Sequence, residues 1–280
     1  MRFPLKDIIA RKVNVARRVK FPIYNDSYWQ MNQNEFAMQV EGVAEFYAFD
    51  GKEVEYAPVD GSDLNSIELY LNGSVYGAVL HQRKILPLHG SSFRYNGAAV
   101  MICGDAGAGK SSLTASFCLN GAEFLTDDVT PVVSREGTPY IWAMSDRIKL
   151  WRDTLEQFGR EHSGLERIYP GTDKFFFPFK NRGSVTSKLS LIFLIEIKDV
   201  TEVRIDEIAG PDKFAAVRGE IYRSEYLQGM PENDPVYFRN IVEICKNVKV
   251  LRVERSSGIK ITSLKDTIEE ILTTELCHER

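Results

Sequence analysis

Residues 104–112 read GDAGAGKSS, so Gly104, Asp105, Ala106, Gly107, Ala108 and Gly109 lead into Lys110, Ser111 and Ser112. The order fits G-x-x-x-x-G-K-[ST]. Glycines let a backbone turn with its N–H groups facing an anion, a lysine reaches the β- and γ-phosphates, and a hydroxyl at the position of Ser111 can ligate Mg²⁺. From ordinary residue frequencies, a chance match in a chain this long is roughly one in a hundred. The whole stretch is therefore expected to bind ATP, with Lys110 at the reacting phosphate and Mg²⁺ as the second cofactor.

Two carboxylates and an imidazole extend this chemistry. Asp127 and Asp128 follow the strand-like AEFLT, one helix and one strand beyond Lys110. If that strand neighbours the one entering the glycine loop, both carboxylates reach the γ-phosphate. One then holds Mg²⁺ and the other takes a proton from an attacking hydroxyl. Which does which is open from the residues alone. His89 ends the apolar ILPL immediately before Gly90, and by itself is a polar strand end.

These groups need a strand, a turn and a helix to position them. AAVMIC before the loop is a buried strand, and SSLTASFCL after it is a helix stopped by Asn120-Gly121. Asn96-Gly97 and Asp50-Gly51 each lie between alternating runs and mark hairpins with type I′ turns. Residues 62–83 carry Leu64, Ile67, Leu71, Val75 and Val79 at helical spacing despite Gly73 and Gly77, as one bent helix or two short ones. Short strands are expected over 122–126, 129–134 and 140–142, and a helix around 151–158. LSLIFLIEI is a buried strand and VTEVRIDEI an edge; helices near 211–227 and 235–247, the strand KVLRVER and a helix from Ser263 complete an α/β chain.

With 280 residues, 44% hydrophobic and 26% charged, the composition is that of a folded globular protein. The net charge of −4 argues against a nucleic-acid partner. Apolar runs are too short to span a bilayer and the N-terminus lacks the apolar core of a signal peptide, so no membrane partner and a cytoplasmic location are expected. Cys103, Cys118, Cys245 and Cys277 form no C-x-x-C pair and are expected as small buried side chains. The basic RKVNVARRVK is expected to be a half-buried strand or helix face. A homo-oligomeric state is left open.

His89-Gly90, the loop GDAGAGKSS and Asp127-Asp128, at these spacings, resemble the catalytic half of HPr kinase/phosphorylase over about residues 63–133. The resemblance implies a phosphate-loop (P-loop) α/β fold shared with ATP-dependent phosphoenolpyruvate carboxykinases, here over 61–280 with a β-rich N-terminal segment over 1–60. It also implies transfer of the ATP γ-phosphoryl group to a protein or peptide serine. By motif position, Asp127 would be the acid/base residue, Asp128 the metal or orienting carboxylate beside Ser111, and His89 a neighbour tuning the aspartate. The family's downstream glycine-rich signature has no counterpart; AMSDRIKLW stands in its place, which leaves reverse phosphorolysis and the HPr acceptor outside the match. The chain is more similar to stand-alone members, some of which phosphorylate lasso-peptide precursors.

An acceptor needs a surface as well. Residues 159–188 have little helical or strand period but carry Lys174, Lys180, Arg182 and Lys188 among Phe175, Phe176, Phe177 and Phe179. Such a loop could close over phosphates and grip a peptide, or pack its phenylalanines on the body. Arg147 and Lys149 are alternative charge stabilisers. Two other functions share the same loop: a small-molecule kinase, and a nucleotide-sensing module that transfers nothing.

Overall fold

The computed structural model describes residues 3–179 and 186–276 as a mixed α/β protein with three sheets and two compact units. Lys180, Arg182 and Cys277 lie outside the described residues. One unit takes in the chain up to Pro87 with Glu166–Lys174 and Ile221–Arg239; the other takes in Leu88–Leu165, Phe175–Glu220 and the chain from Asn240 on.

In the first unit, strands β1 (Ala10–Lys12), β2 (Tyr24–Asn25), β3 (Trp29–Met31), β4 (Glu35–Val40), β5 (Ala44–Phe49) and β6 (Glu53–Pro58) form a sheet ordered β1-β6-β5-β4-β3-β2. The β5–β6 hairpin turns at Asp50 and Gly51, both at positive φ (52° and 63°), as a type I′ turn requires. The basic stretch becomes β1 and a non-helical segment. Arg11 and Arg17 pair there with Glu53, Arg17 also meets Glu55, and Ala16 packs against Tyr47 and Ala57.

Next come α1 (Leu64–Tyr70), a π-helical turn (Leu71–Val75) and α2 (Tyr76–Gln82). Asp63 caps α1 by accepting from the Ser66 N–H at 2.7 Å. Gly77 has a packing reason, since a Cβ there would come within 2.8 Å of the Tyr222 ring. This helix joins the first unit instead of beginning the second at residue 61. Its apolar face is buried at Ile67, Leu71, Val75 and Val79, whereas Leu64, expected on the same face, is exposed at the first turn, and Tyr70 meets Phe46 of β5.

The second unit is built on an eight-stranded sheet. Its elements are β7 (Leu86–Tyr95), β8 (Ala98–Gly104), α3 (Lys110–Leu119), β9 (Glu123–Thr126), β10 (Val129–Arg135) and β11 (Thr138–Trp142). They continue with β12 (Arg147–Trp151), α4 (Arg152–Gln157), β13 (Lys174–Pro178), β14 (Thr186–Ile197), β15 (Arg204–Glu207), α5 (Gly210–Gly219), the part of α6 (Asp234–Asn247) from Asn240 on, β16 (Lys249–Arg255) and α7 (Ile261–Leu276). The sheet path is β11-β10-β7-β8-β14-β16-β15, with β9 on β7 and β11 also pairing the start of β14, while β12 and β13 pair separately. β8, β14 and β16 are parallel; β8 and the centre of β14 are buried on both faces, which is why AAVMIC and LIFLI are continuously apolar, while β16 alternates its buried Val250, Leu251 and Val253 with charged residues. Leu113 and Phe117 of α3 pack with Leu264, Ile268 and Leu272 of α7 against Val100, Ile102 and Phe193.

Two expectations need correcting. The strand before Asp127 is not the immediate neighbour of β8, because β7 lies between β8 and β9. β7 is antiparallel to both, so β9 still runs in the direction of β8 and ends at the same sheet edge. Residues 159–188 are not one open loop, since β13 and the start of β14 fall within them. Phe175, Phe177 and Phe179 pack into a core with Phe124, Ile148 and Leu150; the aromatic run escapes periodicity because it is short and its partner, β12, is distant in sequence.

His81 of α2 is fully buried, with Nε2 2.9 Å from the Tyr222 carbonyl and Nδ1 3.1 Å from the Tyr237 hydroxyl. Burial pushes its pKa down to about 4. The folded value lies below the unfolded one, so the unfolded chain binds the proton first and stability falls as pH drops from about 6.5 to about 4. We predict a loss of about 3 kcal/mol across that window. Urea unfolding at a series of pH values should show it, and His81→Gln should lack that component.

Candidate functional site

The glycine loop joins β8 to α3 through left-handed backbone. Gly104, Gly107 and Gly109 have φ of 128°, 84° and 96°. At Gly104 a Cβ would lie 2.3 Å from the Ile195 carbonyl oxygen of the paired β14. No side chain caps the N-terminus of α3 and its first turn holds no acidic residue. Its free N–H groups and positive dipole end therefore face the loop, a setting suited to an anion. Lys110 Nζ bonds the loop's own carbonyls, Gly104 at 2.6 Å and Asp105 at 3.0 Å.

Support comes from behind. The Arg255 guanidinium, only 5% exposed, donates to the Ala108 carbonyl from Nη2 at 2.8 Å and from Nε at 3.2 Å. The Glu220 carboxylate accepts from the Gly104 N–H, and burial pushes its pKa above the usual carboxylate range. The Glu220 carbonyl also accepts from the His89 N–H at 2.6 Å. The sequence held no signal for either residue, because one ends β16 and the other follows α5, far from the motif.

The register Gly90↔Cys103 puts His89 beside the start of the loop. On the other side of β7, the Gly90 N–H donates to the Asp128 carbonyl at 3.2 Å. Adjacent side chains on a strand point to opposite faces. Asp128, at φ 72°, breaks that alternation between β9 and β10. Asp127 accepts from the Ser111 hydroxyl at 2.7 Å and, on its other oxygen, from the Lys149 N–H at 2.9 Å. Asp128 accepts from Lys149 Nζ at 2.6 Å, and its other oxygen lies 3.6 Å from His89 Nε2. Burial lowers the His89 pKa first, the Lys110 and Lys149 cations lower it further, and the two aspartates oppose the shift. The imidazole is thus neutral at neutral pH.

His89, Lys110, Ser111, Asp127 and Asp128 are brought together, all within the second unit. Asp105, Ala106 and Gly107 form the exposed outer arch of the loop, while Ala108 and Gly109 turn inward to α3. Ser112 is directed elsewhere, with its hydroxyl 3.1 Å from that of Thr154. Lys149 sits on β12, and Arg147 stacks 3.9 Å from the Phe176 ring centroid. Lys174 and Lys188 lie on β13 and β14.

Among the described residues no cluster of three His, Cys, Asp or Glu side chains could hold a metal. Mg²⁺ in a phosphate site takes one or two protein oxygens and completes its shell with phosphate and water. The hydrogen-bonded Ser111 hydroxyl and Asp127 carboxylate are hard oxygen donors that fit that demand. No helix among the described residues is long and apolar enough to cross a membrane.

No family model and no curated protein matches this sequence. Among solved structures, the HPr(Ser) kinase/phosphatase from Coxiella burnetii is similar over 67% of this chain and 97% of its own, at 11% identity and a TM-score of 0.36.

The glycines separate into two kinds, with a testable consequence. Gly104→Ala meets a backbone oxygen as well as left-handed strain and should destabilise the fold by at least about 2 kcal/mol. Gly107 has no neighbour within 4 Å of an added Cβ. Gly107→Ala should cost only the left-handed term, about 1 kcal/mol, and urea unfolding of the two variants measures the contrast.

Proposed function

We propose that this chain is an ATP- and Mg²⁺-dependent phosphotransferase that moves the γ-phosphoryl group to a serine hydroxyl of a protein or peptide. The observation that carries the reading is the grip of Lys149 on both carboxylates, Asp127 through its N–H and Asp128 through its ammonium, at the mouth of the glycine loop. Adjacent aspartates that share Lys149 but differ in their second partner, beside a lysine-bearing loop, would supply the two acidic roles that phosphoryl transfer needs.

The hydrogen bonds support one division of those roles. Asp127 bonds the hydroxyl of Ser111, so Ser111 and Asp127 would hold Mg²⁺. Bound there, the ion would neutralise charge developing on the phosphoryl oxygens. Asp128, one-third exposed beside Lys149 and His89, is the base. This exchanges the roles that motif resemblance gives the pair.

In the step itself, the serine oxygen forms a bond to the γ-phosphorus as the bond to the β–γ bridging oxygen breaks. ADP leaves with that electron pair, and the serine proton passes to Asp128. Lys110 gives up two neutral carbonyl partners for phosphate oxygens. Neutral His89 adds no charge that would compete for Asp128.

Incubation with ATP, Mg²⁺ and serine peptides should give a mass gain of one phosphoryl group. Asp128→Asn should lower the transfer rate by about 10² to 10⁴ while nucleotide still binds. Asp127→Asn should raise the Mg²⁺ requirement, and Lys110→Ala should weaken ATP binding. Full-rate transfer by Asp128→Asn sinks the base assignment, and turnover of a free metabolite in preference to every peptide sinks the acceptor class.

A further inference from the structure

The chain that leaves β16 is fastened to the glycine loop twice. Arg255, the last residue of that strand, donates to the Ala108 carbonyl from Nε and Nη2, and to the Ser256 carbonyl from Nη1 at 2.9 Å. Ile261, the first residue of α7, comes up to the next loop residue, since its Cδ1 would lie 3.3 Å from a Cβ added to Gly109. Residues 256–260 are therefore a short bridge whose ends are pinned to consecutive loop residues.

Sheet order gives this bridge its place in the site. β7, which carries His89, and β9, which leads into Asp127 and Asp128, lie on one side of β8, whereas β14 and β16 lie on the other. β8, β14 and β16 are parallel, with Ile195 opposite Gly104 and Ile197 opposite Arg255, so all three end at one edge of the sheet. Ligands of such sheets sit in the crevice outside the carboxyl ends of the strands. A nucleotide with its γ-phosphoryl group at Asp128 and its phosphates along the loop carries its nucleoside to the side of β14 and β16.

That side offers a slot. Gly258 has a φ outside the left-handed region, and an added Cβ would meet nothing within 4 Å. Ile259 and Ile261 are half-buried beside it, and Ile259 packs on the core below. Ser257 and Gly258 make no backbone hydrogen bond to other described residues. A base with its ribose needs this combination, apolar surface to rest on and a few open polar groups at the rim. A glycine lets the backbone come close to it. Resting on the proposed nucleotide chemistry, we infer that residues 256–260 are the nucleoside-binding wall of the site, kept open at Gly258.

The test needs no phosphoryl transfer. Calorimetric titration with ATP and with inorganic tripolyphosphate, each with Mg²⁺, separates the nucleoside from the phosphates. ATP should bind the unaltered chain about tenfold more tightly. Gly258→Trp fills the slot without backbone strain; it should lower the ATP affinity to that of tripolyphosphate and leave tripolyphosphate binding unchanged, which also reports a folded loop. Gly258→Ala adds only a methyl group to open space, so both affinities should stay within about twofold of the unaltered chain.

Three results would overturn the inference: tripolyphosphate as tight as ATP on the unaltered chain, undiminished ATP affinity in Gly258→Trp, or an equal loss of both ligands in that variant. Failure of the transfer reaction looks different. If the two ligands separate as expected while no serine peptide gains a phosphoryl group, the nucleoside wall stands and the transfer reading falls. If peptides are phosphorylated and Gly258→Trp leaves the KM for ATP unchanged, the transfer reading stands and the wall falls.

Discussion

Two neighbouring carboxylates cannot share one mouth on a regular strand, and the left-handed turn at Asp128 is what lets them do so here. Lys149 makes the arrangement pay, by donating its backbone N–H to one carboxylate and its ammonium to the other. Each acid is thereby given a different neighbour: the hydroxyl of the glycine loop for Asp127, the imidazole for Asp128. The difference in their surroundings follows from backbone geometry.

That turn depends on a buried polar ladder behind it. Thr130 donates to the Gly90 carbonyl, its hydroxyl meets that of Thr126, and Ser91 donates to the Thr126 carbonyl. These groups tie β7, β9 and β10 together in a part of the sheet where an unpaired hydroxyl would cost about 1–3 kcal/mol. The glycine loop is fixed in the same manner. Arg255 and Glu220 satisfy backbone groups at its two ends, and Gly104 admits the Ile195 carbonyl where a side chain would collide. A loop held at both ends keeps its N–H groups oriented without help from a ligand, and preorganised dipoles are what make such sites effective.

Local chemistry was legible in the residues. Both type I′ hairpins, the helix stop at Asn120-Gly121 and the central apolar strands stand where turn residues and continuous apolar runs put them. The helical face over 62–83 was legible too, although its membership in the first unit was not, because that rests on contacts with β5. Phe175, Phe177 and Phe179 carried no period, since each takes its place from β12 and Phe124 and not from its own neighbours. Insertion of β7 between β8 and β9 was likewise invisible, as strand order is set by which apolar faces must be covered.

By itself, then, the sequence determined the chemical inventory: a glycine loop with Lys110 and Ser111, a pair of aspartates, and His89 at a strand end. Residue type and local spacing suffice for that, because backbone freedom at glycine and the acidity of a carboxylate are properties of the residue. The tertiary structure alone decided which aspartate meets Ser111, that Lys149 joins the pair, that Arg255 and Glu220 hold the loop, and that Arg147 stacks on Phe176. Each of these unites segments distant in the chain, and such contacts are fixed only when strand register and packing are settled across the whole sheet.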